Sequence, residues 1–181
     1  LLWLRPERTR RSSFLGCRIV EDGAMQGYLS TLRLSVLDQS PISAGSDASD
    51  ALQNSIDLAT HVDALGFHRY WVAEHHNSRG LAGAAPEIMI GQIANVTSQI
   101  RVGSGGVMLS HYAPFKVAET FRTLATLYPG RIDLGVGRAP GSDPITAYAL
   151  AAGNRPRSID LYPTDLRDLN DWLRGETPML R

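Results

Sequence analysis

Four times along this sequence the spacing of apolar residues changes from every second position to every third or fourth. Leu32, Leu34 and Val36 alternate with Arg33 and Ser35, which predicts a strand. After a loop rich in Ser, Gly and Asp, residues Leu52, Ile56, Ala59, Val62 and Leu65 recur at helical spacing. Asp47 or Ser49 can cap that helix, and Gly66 stands where a helix end favours glycine. The aromatic and β-branched run at 68–73 reads as a second strand. Pro86 suits the first turn of a second helix, along which Met89, Ile93 and Val96 make an apolar stripe. Residues 100–108 form a third strand with glycines inside it. Pro114 opens a helix with Val117, Phe121, Leu124 and Tyr128 on one face, ended by Gly130. Ile132, Leu134 and Val136 mark a fourth strand. Leu166, Leu169 and Leu173 line a last helix, capped by Thr164 and stopped by Gly175.

Strands alternating with helices argue for an α/β chain with a parallel sheet. An open doubly wound sheet and a closed eightfold barrel both fit the pattern, and in a barrel four units make one half. A half barrel leaves strand edges unpaired, which favours association and makes a homo-oligomer an expectation. At 43% hydrophobic and 20% charged residues, the chain has the balance of a folded globular domain. A formal net charge of zero argues against a nucleic-acid partner. No apolar run reaches the roughly 18 residues of a membrane helix. The single cysteine, Cys17, offers no internal disulfide, so the expected compartment is the reducing cytoplasm. Residues 1–24 carry five arginines and no clear period, and Met25 is the first methionine. They read as an extension, or as sequence upstream of a start at Met25, with the folded domain running over 25–181.

Parallel α/β folds carry their chemistry where strands end. The second strand is followed by Glu74-His75-His76-Asn77, the densest cluster of ionisable groups. Histidine titrates near neutral pH and can move a proton or hydrogen-bond a redox cofactor. Adjacent histidines point apart in extended backbone, which disfavours a metal centre. The third strand carries Gly103-Ser104-Gly105-Gly106, and the fourth ends Gly135-Val136-Gly137-Arg138-Ala139-Pro140-Gly141. Glycine weakens a strand, so these mark a bend or the close approach of a ligand. With Ile132, Leu134 and Val136 packed on helices, Gly135 and Gly137 open space on the other face for a flat ring. The G-x-G-x-x-G phosphate loop is not matched at either place. Arg138 can hold an anion, or pair with Asp143 on the rim. His111 and Tyr112 can line the same pocket, while Trp71 and Phe67 read as core.

These stretches, with Leu34-Ser35-Val36-Leu37-Asp38-Gln39-Ser40-Pro41-Ile42 before them, resemble the luciferase-like flavin monooxygenases. The four motifs run in family order over about residues 31–150. The resemblance implies the first half of a (β/α)8 barrel. It also implies reduced FMN, supplied by a separate NAD(P)H-dependent reductase, which reacts with O2 to oxidise a small organic substrate. A deazaflavin coenzyme with hydride transfer is the alternative within the same superfamily, and a flavin-binding barrel without turnover is another. By resemblance His75 is the acid/base or flavin-orienting residue. Glu74, Ser104, Gly105 and Gly106 contact or underlie the flavin, and Gly137, Arg138 and Ala139 lie beside its ring. The run Ser110-His111-Tyr112-Ala113-Pro114 departs from the family pattern. Much of the phosphate grip would come from the second half of the barrel.

Overall fold

The computed structural model describes residues 32–139, 143–151 and 159–175. The extension read at 1–24 lies outside the described residues. Four strands form one parallel sheet in the order β1-β2-β3-β4: β1 Ser35–Asp38, β2 Arg69–Val72, β3 Arg101–Met108 and β4 Ile132–Gly137. Between them run α1 (Ala48–Ala64), α2 (Pro86–Val96) and α3 (Pro114–Leu127). After β4 come α4 (Pro144–Leu150) and α5 (Tyr162–Arg174).

Each strand lies beside its predecessor in sequence, so the order never reverses. A doubly wound sheet has such a reversal, with helices on both faces. Here Tyr70, Val72, Val102 and Val107 join Ala59, Val62, Ile90, Ile93, Val117, Phe121 and Leu169 in a single buried cluster. Helices therefore cover one face of the sheet. On the other face Leu37 is 58% exposed. This is the geometry of the first half of a (β/α)8 barrel, with helices outside and the barrel interior open. Among the described residues no helix is long and apolar enough to cross a membrane.

Most helix boundaries follow from their caps. Asp47, not Ser49, begins α1: its carboxylate accepts from the Asp50 N–H at 3.0 Å, and Asp50 accepts from the Asp47 N–H at 3.2 Å. This reciprocal box satisfies two donors that a helix start leaves bare. Gly66, at φ +75°, takes the left-handed turn after the helix. Two expectations fail at α5. Thr164 does not cap it, because the helix already begins at Tyr162 with Pro163 in its first turn. Proline lacks an N–H and has φ preset for that turn, so it draws the start forward. Leu166 and Leu173 are 41% and 38% exposed, whereas Leu169 is buried. The helix docks through the face that carries Leu169 and Trp172, and the Trp172 ring meets Phe115 edge-on at 4.7 Å. The stretch after β4, which shows no helical period in the sequence, holds the short helix α4, capped by Asp143 and opened by Pro144.

The lower end of the sheet is fixed by one carboxylate. Asp63, near the end of α1, accepts from the backbone N–H groups of Ser98 (2.8 Å), Gln99 (3.0 Å) and Ile100 (2.7 Å). Burial alone would raise its pKa, but these donors outweigh that and hold it below the usual carboxylate range. A carboxylate depressed in the folded state stabilises above its unfolded pKa of about 3.9, and that stabilisation is lost as pH falls through the folded value. Replacing Asp63 with Ala should lower unfolding free energy near neutral pH by about 2 kcal/mol. Urea titrations of both proteins should converge in strong acid, where the wild-type group is also uncharged. A constant difference across the pH range would reject the assignment.

Candidate active site

The loop that leaves β2 folds back over the strand ends and is held from both sides. The Ala73 N–H donates to the Asp38 carbonyl at 2.9 Å, and the Ala82 N–H donates to the Ser40 carbonyl at 2.9 Å. The His75 N–H donates to the Gly83 carbonyl at 2.8 Å. A Cβ at Gly83 would lie 3.3 Å from the Ala73 carbonyl, so the close return leaves little room for a side chain. Asp38, which ends β1, is consumed in the same scaffold. It accepts from the Tyr70 hydroxyl and the Ser40 N–H, both at 2.8 Å. Burial first, then the neighbouring Asp38 charge, drives the Tyr70 hydroxyl far above its ordinary pKa.

Glu74 is the centre of the loop, with its side chain only 1% exposed. Its Oε2 accepts from the Met108 N–H at 2.8 Å, at the end of β3. Its Oε1 accepts from the Tyr112 hydroxyl at 2.6 Å and meets His76 Nε2 at 2.7 Å. Burial and then the bond to Glu74 push the Tyr112 hydroxyl well up. The two histidines thus have different surroundings. His76 is tied to Glu74, whereas the half-buried His75 imidazole has no partner among the described residues.

Ser104 is fully buried and also turned inward. Its hydroxyl donates to the Gly135 carbonyl at 2.8 Å and accepts from the Gly135 N–H at 3.1 Å. This bridge stands where the β3–β4 register shifts, between Ser104 and Val107; the Gly105–Gly106 peptide there is cis. Glu74 and Ser104 were expected to contact a cofactor, but both side chains bind the protein itself.

The ring that packs against the β3 glycines is that of Trp71. A Cβ at Gly103 would lie 2.9 Å from the Trp71 ring, and one at Gly105 would lie 3.0 Å from Trp71 Cβ and 3.0 Å from Leu37 Cδ1. Trp71 therefore belongs to the barrel interior and not to the core under the helices, which Phe67 does join. Beneath it, Asp133 accepts from Arg69 Nε at 2.9 Å and Arg101 Nε at 2.9 Å. Burial opposes the Asp133 charge, but the Arg101 and Arg69 bonds prevail and keep its pKa low.

Gly137, at the upper end of β4, is more open: a Cβ there would meet only the Val107 carbonyl, at 3.8 Å. Arg138 and Ala139 follow it and are exposed, and the Ser110 hydroxyl donates to the Arg138 carbonyl at 3.1 Å. Among the described residues Arg138 makes no ion pair with Asp143. Asp143 accepts instead from the Thr146 hydroxyl (2.7 Å) and from the Ile145 and Thr146 N–H groups, which hold it low. Sequence reading missed the link that follows. Asn77 Nδ2 donates to Thr146 Oγ1 at 2.9 Å, joining the β2 loop to α4. A cavity of about 470 Å³ lies there, lined by His76, Asn77, Ile145, Thr146, Ala149 and Leu150. Asn77 has a positive φ of +52°, a left-handed turn that asparagine tolerates. His111 lies in the short turn Leu109–His111 that leads into α3.

Comparison with known proteins agrees with this layout. Residues 32–175 match the family of luciferase-like monooxygenases. A luciferase-like monooxygenase of Escherichia coli is 49% identical over 148 residues, spanning 82% of this chain and 44% of that protein. The N-acetyl-S-alkylcysteine monooxygenase of Bacillus subtilis is 47% identical over 81% of the chain and 44% of its own length. The crystal structure of apo-MsnO8 superposes with a TM-score of 0.74 at 51% identity, over 78% of this chain and 42% of that one. The oxygenating constituent of 3,6-diketocamphane monooxygenase from Pseudomonas putida, a type II Baeyer–Villiger enzyme solved with FMN, has a TM-score of 0.68. At 22% identity, over 77% of this chain and 38% of that one, it shares the fold alone. The chain spans less than half the length of the curated relatives it matches.

Glu74 should be the most sensitive position of the rim. Its replacement by Ala leaves three buried donors without an acceptor and should cost about 3 kcal/mol. Amide exchange at Met108 should accelerate with it. Wild-type protection of Met108 in the variant would show that another group holds the loop.

Proposed function

The chain belongs to the luciferase-like monooxygenase family, and from that premise we propose that it works as an FMN-dependent monooxygenase. It would take reduced FMN from a separate NAD(P)H-dependent reductase and use O2 to oxidise a small organic molecule. The observation that carries this reading is the His75 imidazole. It stands at the C-terminal rim, on a loop pinned at Glu74 and Gly83, with no side-chain partner among the described residues. An imidazole held in place, with no partner among the described residues, is available to a ligand.

The residues present fit one side of a flavin. Gly137 leaves open space at the rim, whereas the space at Gly105 is taken by Leu37 and Trp71 and that at Gly106 by the β4 backbone. Arg138 is exposed beside Gly137 and can place a guanidinium against a ring or phosphate that carries negative charge. The bound reduced flavin would supply the electrons and O2 the oxygen atom. His75 would orient the ring edge and carry the proton that the oxidation moves. Glu74, Tyr112 and Ser104 would act at one remove, by holding the loop and the β3–β4 register in place. The FMN complex of a relative with the same fold supports the choice of cofactor. The relative that acts on N-acetyl-S-alkylcysteine supports a small organic substrate.

His75→Ala is the direct test. Turnover should fall by about 100-fold or more, while the FMN dissociation constant, from fluorescence quenching, stays within about threefold. Undiminished turnover would remove His75 from the chemistry. Saturable binding of a deazaflavin with none of FMN would move the reading to hydride transfer without O2.

A further inference from the structure

The cavity between the β2 loop and α4 has none of Gly105, Gly106 and Gly137 in its lining. Its lining combines one titratable side chain, His76, with the carbon of Ile145, Ala149 and Leu150. At about 470 Å³ it falls in the size range of small-molecule sites. Ile145 is 79% exposed and Tyr148, on the next turn of the same short helix, is 58% exposed. Apolar side chains left uncovered beside a cavity are available to an apolar occupant.

The hydrogen-bond network fixes which atom of His76 is free. Glu74 Oε2 takes the Met108 N–H, so the carboxylate acts as an acceptor. The Tyr112 hydroxyl gives its only proton to Glu74 Oε1 at 2.6 Å, and its oxygen then faces His76 Nε2 at 3.3 Å with a lone pair. Both neighbours of Nε2 are acceptors, so Nε2 carries the hydrogen. In the neutral ring Nδ1 is then a bare lone pair, and it has no partner among the described residues. Of the polar lining beside it, the Thr146 hydroxyl is taken on both sides: Asn77 donates one amide hydrogen to Thr146, and Thr146 donates to Asp143. An occupant meets the His76 ring nitrogen, the remaining amide groups of Asn77 and an apolar wall.

We propose that this cavity binds the organic substrate, and that it selects an apolar molecule carrying a hydroxyl or another hydrogen-bond donor, which His76 Nδ1 accepts. His76 is the specificity-determining residue. Glu74 and Tyr112 are positioning residues that fix its tautomer. The role as substrate site rests on the monooxygenase reading, whereas the binding itself does not.

The probes are octanol and its isomer heptyl methyl ether, which has the same atoms and no donor. They are titrated into the 181-residue chain without flavin, with the histidines labelled with nitrogen-15. The spectrum of the neutral His76 ring should show hydrogen on Nε2, and octanol should move the Nδ1 resonance saturably. Octanol should bind about tenfold more tightly than the ether. That preference should vanish in His76→Leu. Ala149→Trp, at an exposed position of α4, should abolish binding of both probes with an unchanged circular dichroism spectrum. Equal affinity for octanol and ether, a ring protonated on Nδ1, or unaltered binding in a folded Ala149→Trp would each overturn the proposal. A parallel FMN titration separates the two readings. Octanol binding without FMN binding would defeat the flavin assignment and leave this site standing, and the converse would do the reverse.

Discussion

Glu74 is a carboxylate almost wholly removed from water, and burial on that scale is tolerable only when every lone pair has a donor. Here the donors come from three separate places. One is the backbone at the end of β3, one is a tyrosine in the turn before α3, and one is a histidine two residues along its own loop. The charge therefore acts as a clamp across the C-terminal rim. It fixes where the β2 loop lies relative to β3, and hence where His75 and His76 stand. The cost of leaving such a group unpaired makes the geometry close to all-or-none.

A second charged cluster works at the other end of the strands. Asp133 holds Arg69 and Arg101 across three strands, in the interior that the helices do not cover. Asp63 does similar work outside, between α1 and the entry to β3. In each case one acidic side chain gathers donors from different elements. The sheet is thus registered at both ends by ionic hydrogen bonds and in its middle by apolar packing against the helices. Local hydrogen bonds at the rim leave the catalytic candidate free while immobilising its neighbours.

Much of the fold was legible because it rests on periodicity. The alternation around Val36, the stripe from Ala59 to Val62, and the prolines at 86 and 114 placed the strands and the first three helices. The C-terminal helices were harder. The spacing of Leu166, Leu169 and Leu173 suggests a stripe, but the face that docks is chosen by Phe115 and Trp172, which lie far apart in sequence. Motif reading singled out Glu74, His75, Ser104 and Gly105. It could not say that Glu74 and Ser104 spend their side chains internally, because their partners, Tyr112, Met108 and Gly135, are about thirty or more residues away. The role of Asn77 was hidden for the same reason, since its partner Thr146 belongs to a helix too short to announce itself.

The packing of Trp71 against the glycines has a consequence for how such a sequence can drift. Gly103 lacks room for a methyl group because the Asp133 backbone and then the indole lie against it, Gly105 because Leu37 and the Trp71 Cβ do, and Gly135 because of the Ser104 carbonyl. No one of these positions can change alone. A side chain at either β3 glycine collides with Trp71, and a small residue in place of Trp71 leaves a gap along the same wall that nothing nearby can fill. The indole and its glycines form one inherited unit. Trading the tryptophan for something smaller would not by itself free the neighbouring strand, because the Asp133 carbonyl still closes on Gly103 and Leu37 on Gly105.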